Sequence, residues 1–263
     1  MRFIISPAKT MVEESPLPAR ALPRFCQQAR QVSDALCALD PAQRQRLWGC
    51  SDKLAAQAER FVGRYAQAFP CAPANLAALT PALFAYDGLQ YQSLSAATLS
   101  EAALKYLEDR LLIVSGMFGL LRPFDGIAPY RLEMQARLQV GQHANLYRFW
   151  GDSLFRALSA ECDTVVNLAS QEYARAALAG SDEEGDETGR EKARVVSCAF
   201  YEGVRDGKPV QRAPFAKKAR GSFVRWCAES GIDDPAQLTS FDWGYRHAPD
   251  LSRPGALAFL RCG

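Results

Sequence analysis

The sequence predicts a single α/β (mixed α+β) domain, a mixed sheet with at least one antiparallel hairpin, flanked by helices. Three observations predict it. Short apolar runs of strand length alternate with segments of helical period. Leu111–Val114 is apolar throughout, as a strand buried on both faces must be. Asp206-Gly207, between the expected strands Arg194–Tyr201 and Lys208–Arg212, is a hairpin signal. No repeat and no convincing linker divides residues 1–263, so one domain is expected.

The elements follow in order. Arg2–Ile5 reads as a first strand and Ser6-Pro7-Ala8-Lys9-Thr10 as the turn leaving it. Phe25, Ala29, Val32 and Leu36 recur at helical spacing. Asp40-Pro41 is an N-cap followed by proline at the first helical position, and Gly49 stops that short helix. Ser51 caps the next, with Leu54, Ala58, Phe61, Tyr65 and Phe69 as its buried stripe. Thr80-Pro81 opens a short helix, and Asp87-Gly88 is a turn. Thr98 with Glu101 reads as a capping box for a helix ending near Arg110. A helix starts near Gly151, Thr164–Leu168 is a strand, and Ser170 caps a helix carrying Glu172 and Tyr173. Residues 181–191, with six acids and two glycines, read as a solvated, mobile loop. The last strand is expected over Ala256–Leu260.

Composition bounds the function. Hydrophobic residues make up 48% and charged residues 23%, ordinary for a soluble globular protein. No apolar run approaches the roughly 20 residues that span a bilayer. The N-terminal apolar segment is too short for a signal peptide. A cytoplasmic monomer without a membrane partner is expected. Lys plus Arg total 31 against 29 acids, a formal charge of +2, so only local charge clustering bears on nucleic acid. The eight cysteines include no CxxC pair, and His143 and His247 are the two histidines. That disfavours a zinc site, and no metal or cofactor is expected. In a cytoplasm the thiols should be reduced.

Candidate site residues cluster behind strands. Ser6, Lys9 and Thr10 leave the first strand, where a phosphate or carboxylate can be held; on spacing alone a plain strand exit with a solvated lysine is the readier explanation. Arg122, Asp125, Tyr130, Arg131 and Glu133 follow the Leu111–Val114 strand and its Ser115-Gly116 and Gly119 turn. Asp52 complements a helix dipole, whereas Lys53 beside it gains nothing there.

The most uneven charge lies near the C-terminus. From Gly207 through Ala228 there is no acidic residue. Phe215, Ala219, Phe223, Trp226 and Cys227 fall on one face of a helix. Lys217, Lys218, Arg220 and Arg225 fall on the other, and Gly221 admits a close neighbour. Gly231 stops this helix and Asp234-Pro235 caps another. Such a face is suited to grip a nucleic-acid backbone without reading bases, although a four-charge face is more often a solvated helix surface. Alternatively Lys217, Lys218 and Arg220 share a cleft with Lys9 and Arg131 and hold a small anionic ligand.

Seven strings in order, ISPAKT (5–10), SDKLA (51–55), VSGMFGLLRPFDG (114–126), PYRLEM (129–134), YRFWGD (147–152), NLASQEY (167–173) and FAKKARG (215–221), resemble the YaaA family of bacterial peroxide-stress proteins. The resemblance implies a cytoplasmic protein with a family-specific mixed fold, a positively charged cleft and a helix-hairpin-helix-like element. It also implies DNA binding and protection from iron-driven oxidative damage under hydroperoxide stress. The helix from Phe215, Gly231 and the segment after Asp234 are one placement of that element; the Gly116–Gly119 turn is the rival.

Two functions follow. In the first, Lys217, Lys218, Arg220 and Arg225 bind phosphates of double-stranded or structured DNA, with Lys9 and Arg131 in the cleft. In the second, an enzyme takes a nucleobase, nucleotide or other small anion. Its pocket would use Ser6, Lys9, Asp52, Lys53, Arg122, Asp125, Tyr130, Arg131, Glu133, Trp150, Asn167, Glu172 and Tyr173. Glu133 or Glu172 would be the base, with Lys9 as electrostatic stabiliser and Tyr130 as a further acid–base candidate. Iron on Asp125, Glu133 and Glu172 is disfavoured, because His143 and His247 lie outside the matched strings.

Overall fold

The computed structural model describes residues 1–67, 71, 73–181 and 192–262. Residues 182–191, read above as an acidic loop, and Phe69 lie outside them. Among the described residues a seven-stranded sheet forms the centre. Its strands are β1 (Arg2–Ile5), β2 (Leu111–Ser115), β3 (Gly119–Leu121), β4 (Thr164–Asn167), β5 (Arg194–Tyr201), β6 (Tyr245–His247) and β7 (Ala256–Arg261). The spatial order is β6-β7-β5-β4-β1-β2-β3. The middle of the sheet, from β7 to β2, is parallel. Both edges are antiparallel, with β6 on β7 and β3 on β2. Parallel pairing requires long crossovers, and helices supply them. The predicted mixed α/β class is the class observed.

Burial explains the strand sequences. Phe3, Ile4 and Ile5 in β1 and every residue of β2 are buried, because helices cover both faces. The β1–β2 crossover holds α1 (Cys26–Ala38), α2 (Pro41–Trp48), α3 (Asp52–Gln67), α4 (Leu89–Leu94) and α5 (Glu101–Arg110). Helix α2 is closed by the expected cap. Asp40 accepts the Gln43 N–H at 2.8 Å, Gln43 accepts the Asp40 N–H at 2.8 Å, and Gly49 ends the helix at φ +52°. Later helices are α6 (Ser153–Glu161), α7 (Gln171–Ala177) and α8 (Ala213–Ser230).

Five local expectations need correction or refinement. The stripe of α3 is Ala55, Ala58, Val62 and Tyr65, while Leu54 is 42% exposed. The helix is turned so that its small residues meet α1. Ser100, not Thr98, caps α5 by accepting the Ala103 N–H at 3.2 Å. The Asp206-Gly207 turn (φ +50° and +73°) does close a hairpin, but its arms are Gly203–Arg205 and Lys208–Val210. The long strand β5 instead pairs in parallel with β4 and β7. The short helix expected from Thr80-Pro81 is present as the single turn Ala82–Ala85 with Pro81 at its N-cap; the refinement is that Thr80–Pro81 itself pairs as strand with Gly126–Ile127. Finally, Cys26 and Cys71 form a disulfide across 45 residues, with Cα atoms 5.7 Å apart, against the expectation of reduced thiols. No sequence spacing signals that pair.

Helix α4, which the sequence reading did not resolve, fixes the position of α8. A Cβ on Gly221 would lie 2.0 Å from the Gln90 carbonyl oxygen, so the two backbones touch. The other face of α8 packs on the sheet through Phe223, which meets Phe241, Phe200 and Phe259 at 4.8, 5.6 and 5.5 Å between centroids. Clamped on two sides, α8 presents Lys217 and Arg220 beside the exits of β1 and β4. No helix among the described residues is long and apolar enough to cross a membrane.

Candidate functional site

The order β4-β1-β2 creates a switch point. The chain leaves β1 for β2 on one side, and β4 is later added on the other. In open parallel sheets the crevice outside such strand ends is where ligands bind. Ser6 stands there. Its Oγ accepts the Ser170 N–H at 2.8 Å and donates to Ser170 Oγ at 3.2 Å. Its carbonyl accepts from Gln90 Nε2 at 3.1 Å and from the Tyr91 hydroxyl at 2.9 Å. Ser6 therefore ties β1 to α4 and α7.

Beyond Ser6 lies a cavity of about 300 Å³. Lys9, Glu133, Glu172, Tyr173, Lys217 and Arg220 line it, together with Asp87, Gln90 and Tyr91. Lys9 Nζ meets Glu133 Oε1 at 2.9 Å. Glu172 Oε1 accepts the Gln135 N–H at 3.1 Å. Burial, with Glu133 adding repulsion, raises the Glu172 carboxyl above its ordinary value; the Gln135 N–H and Lys9 oppose the rise. Tyr173 is held protonated by burial first and by Glu172 second. Lys217 is exposed at the rim. Arg220 is half-buried, and its Nε is buried without a hydrogen-bond partner. Burial lowers its pKa. Cys198 beside it is pushed up to about 12 by burial, against the pull of Arg220, so it is no thiolate at neutral pH.

Arg220 also borders a larger cavity of about 900 Å³, lined by Asn167, Arg175, Ser197 and Arg253 among others. Asn167 shapes the β4 exit there, donating to Ser197 Oγ at 3.2 Å and accepting the Ala169 N–H at 3.0 Å.

The cavity gathers Ser6, Lys9, Thr10, Glu133, Glu172, Tyr173, Lys217 and Arg220 from the expected set, and the remaining candidates lie elsewhere. Asp52 accepts from Gln45 Nε2 at 2.6 Å, and Lys53 is exposed beside it at the start of α3. Arg122 pairs with Glu161 at 3.3 Å, where Arg2 and Arg24 also converge. Tyr130 is buried in a hydroxyl chain, 2.7 Å from Tyr86 and 2.7 Å from Ser115. The Arg131 carbonyl accepts the Trp48 indole N–H at 2.7 Å. Its Nε is buried without a partner, beside a small void at Tyr65 and Met117. Trp150 is core, donating to the Gly116 carbonyl at 3.1 Å. Lys218 is exposed outside the cavity. Arg225 is engaged by Glu229 at 2.7 Å and by the carbonyls of Leu94 and Ser95. The rival hairpin placement, Gly116–Gly119, is the buried turn between β2 and β3. Sequence reading missed Asp87, Gln90 and Tyr91 as cavity residues; the only trace was the polar FAYDGLQY string.

Asp125 is 3% exposed and shapes a turn, accepting the Arg122 N–H at 2.8 Å. Burial raises its carboxyl to about 6, partly offset by that bond and the Arg122 charge. The folded state therefore holds the proton more tightly than the unfolded chain. Stability from this group is present below the ordinary value near 4 and is lost as pH rises to about 6, at most about 3 kcal/mol. Asp125→Asn should flatten that part of the urea-denaturation profile between pH 4 and 7. An unchanged slope refutes the assignment.

Among the described residues no group of three or more His, Cys, Asp or Glu is placed to hold a metal ion.

The fold and site define a mixed α/β protein with a polar, doubly charged cavity at the switch point of its parallel strands. The chain belongs to the peroxide stress protein YaaA family, whose model matches residues 1–251. It is 42% identical to a UPF0246 protein of Limosilactobacillus fermentum, over 99% of this chain and 100% of that one. A UPF0246 protein of Lactiplantibacillus plantarum is 40% identical over 92% of this chain and 91% of its own length. That of Lachnoclostridium phytofermentans is 36% identical over 99% and 96%. Membership supports a role in the peroxide stress response.

Proposed function

We propose that this protein serves the peroxide stress response by binding DNA and limiting iron-driven damage to it. One observation carries the reading. Arg205, Lys208, Arg212, Lys217 and Lys218 are all exposed on the 203–210 hairpin and the start of α8. None of the five is held in an ion pair among the described residues. Exposed cations without ion-pair partners attract a polyanion and release its counterions on binding. The switch-point cavity is too small for a duplex, so the grip lies on the outer surface, with Lys217 at the boundary between the two. Backbone contact of this kind brings little base specificity.

The test is a fluorescence-anisotropy titration of duplex DNA across salt concentrations. Each phosphate neutralised contributes about −0.9 to the log–log slope, so Lys217→Ala with Lys218→Ala should make the slope shallower by about 1.8. Affinity should fall equally for unrelated sequences. A slope that ignores the double substitution, or affinity independent of salt, defeats the proposal.

A further inference from the structure

We infer that the cavity at the β1–β4 switch point is a separate small-molecule site, built for a ligand with a phosphate at one end and N–H donors at the other. A purine nucleotide is the chemical class that fits. The inference stands apart from the DNA reading, because a duplex cannot enter a space of about 300 Å³. That volume is at the lower end for small-molecule pockets.

The lining carries two kinds of charged group, and each suits one end of the ligand. On the α8 wall, Lys217 and Arg220 are three residues apart and so share one helical face. Arg220 is the informative group. Its Nε is buried and bonded to nothing, and no carboxylate neutralises it among the described residues. Buried polar groups are satisfied in nearly all folded proteins, so an orphan on the helix wall shared by the two cavities calls for a partner from one of them, a ligand or a water. A guanidinium fork beside a lysine matches a phosphate. Glu133 and Glu172, which come from outside α8, line the same cavity. Glu133 already holds Lys9, and Glu172 is fixed by the Gln135 N–H, so both carboxylates are oriented before any ligand arrives. Carboxylates accept from N–H groups such as those on the Watson–Crick edge of guanine. Tyr91 and Tyr173 add aromatic surface to the same lining.

Calorimetric titration of the full-length protein with guanosine 5′-monophosphate tests the site. Inorganic phosphate and guanosine serve as the one-ended probes. The nucleotide should bind about tenfold or more tighter than either. Lys217→Gln should weaken the nucleotide and inorganic phosphate together, whereas Glu172→Gln should weaken the nucleotide and spare inorganic phosphate. Both side chains reach solvent, so the variants should fold, and a thermal melt verifies it. Lys218→Ala lies off the cavity and should leave nucleotide binding unchanged while reducing DNA affinity. The proposal is overturned if the nucleotide binds no better than guanosine and phosphate alone. It is equally overturned if well-folded Lys217→Gln and Glu172→Gln bind it as the parent does.

Discussion

Gly221→Ala is expected to destabilise the protein by about 3 kcal/mol, although alanine is the better helix former by about 1 kcal/mol. The reason is the 2.0 Å that would separate the new Cβ from the Gln90 carbonyl oxygen. A backbone carbonyl cannot rotate away, so α8 and α4 must part. Parting them also moves Gln90 from Ser6 and displaces Arg220, the preceding residue, and Lys217, one turn earlier on α8. The variant should therefore lose cavity binding as well as stability. Gly63 on α3 is the control. Nothing lies within 4 Å of its missing Cβ, so Gly63→Ala should gain up to about 1 kcal/mol. Urea denaturation of both variants checks the pair. Equal, small gains at the two positions would show that α8 does not rest on α4 as described.

What could be read without the structure follows from how local each cause is. The ends of α2 were legible because Asp40 with Pro41 starts the helix and Gly49 stops it within a single short segment. Strand β2 was legible because burial on both faces leaves an unbroken apolar run. Helix α4 was not legible: its six residues carry too little periodicity, and its reason to exist is the contact with Gly221, over a hundred residues away. The site divides on the same principle. Polar residues after strands were recognisable, yet which strand ends meet depends on the order β4-β1-β2. Ser6 and Glu172 belong to adjacent exits at one end of the sheet. Arg122 follows the antiparallel return strand β3, which carries the chain back toward the β1 start, where Arg2 and Glu161 sit. An identical run of charged residues was thus split between two ends of the sheet by one reversal. The α8 face was split too. Spacing alone grouped Lys217, Lys218, Arg220 and Arg225, but a helix with neighbours on two sides directs them to different surroundings. Lys218 faces solvent, Arg220 a cavity wall and Arg225 the carbonyls that end α4.

Trp150 is where site and core make opposite predictions. As a cavity residue it would affect binding while sparing stability. Its position argues for the reverse. It is 1% exposed, its ring meets Phe25 and Phe149 at 5.7 and 5.1 Å between centroids, and its indole N–H satisfies the Gly116 carbonyl. Gly119, at φ +69°, leaves room for that ring: a Cβ there would lie 2.9 Å from it. Trp150→Ala should cost about 3–5 kcal/mol through the cavity it leaves and the carbonyl it orphans. Trp150→Phe keeps most of the ring and loses the bond, so about 1–3 kcal/mol is expected. Folded Trp150→Phe should then bind both DNA and guanosine 5′-monophosphate as the parent does, because Trp150 reaches neither the cationic hairpin nor the switch-point cavity. Parental stability with lost binding in that variant would return the tryptophan to the site. It would also make the buried β2–β3 turn beneath it part of a binding surface rather than the support of one.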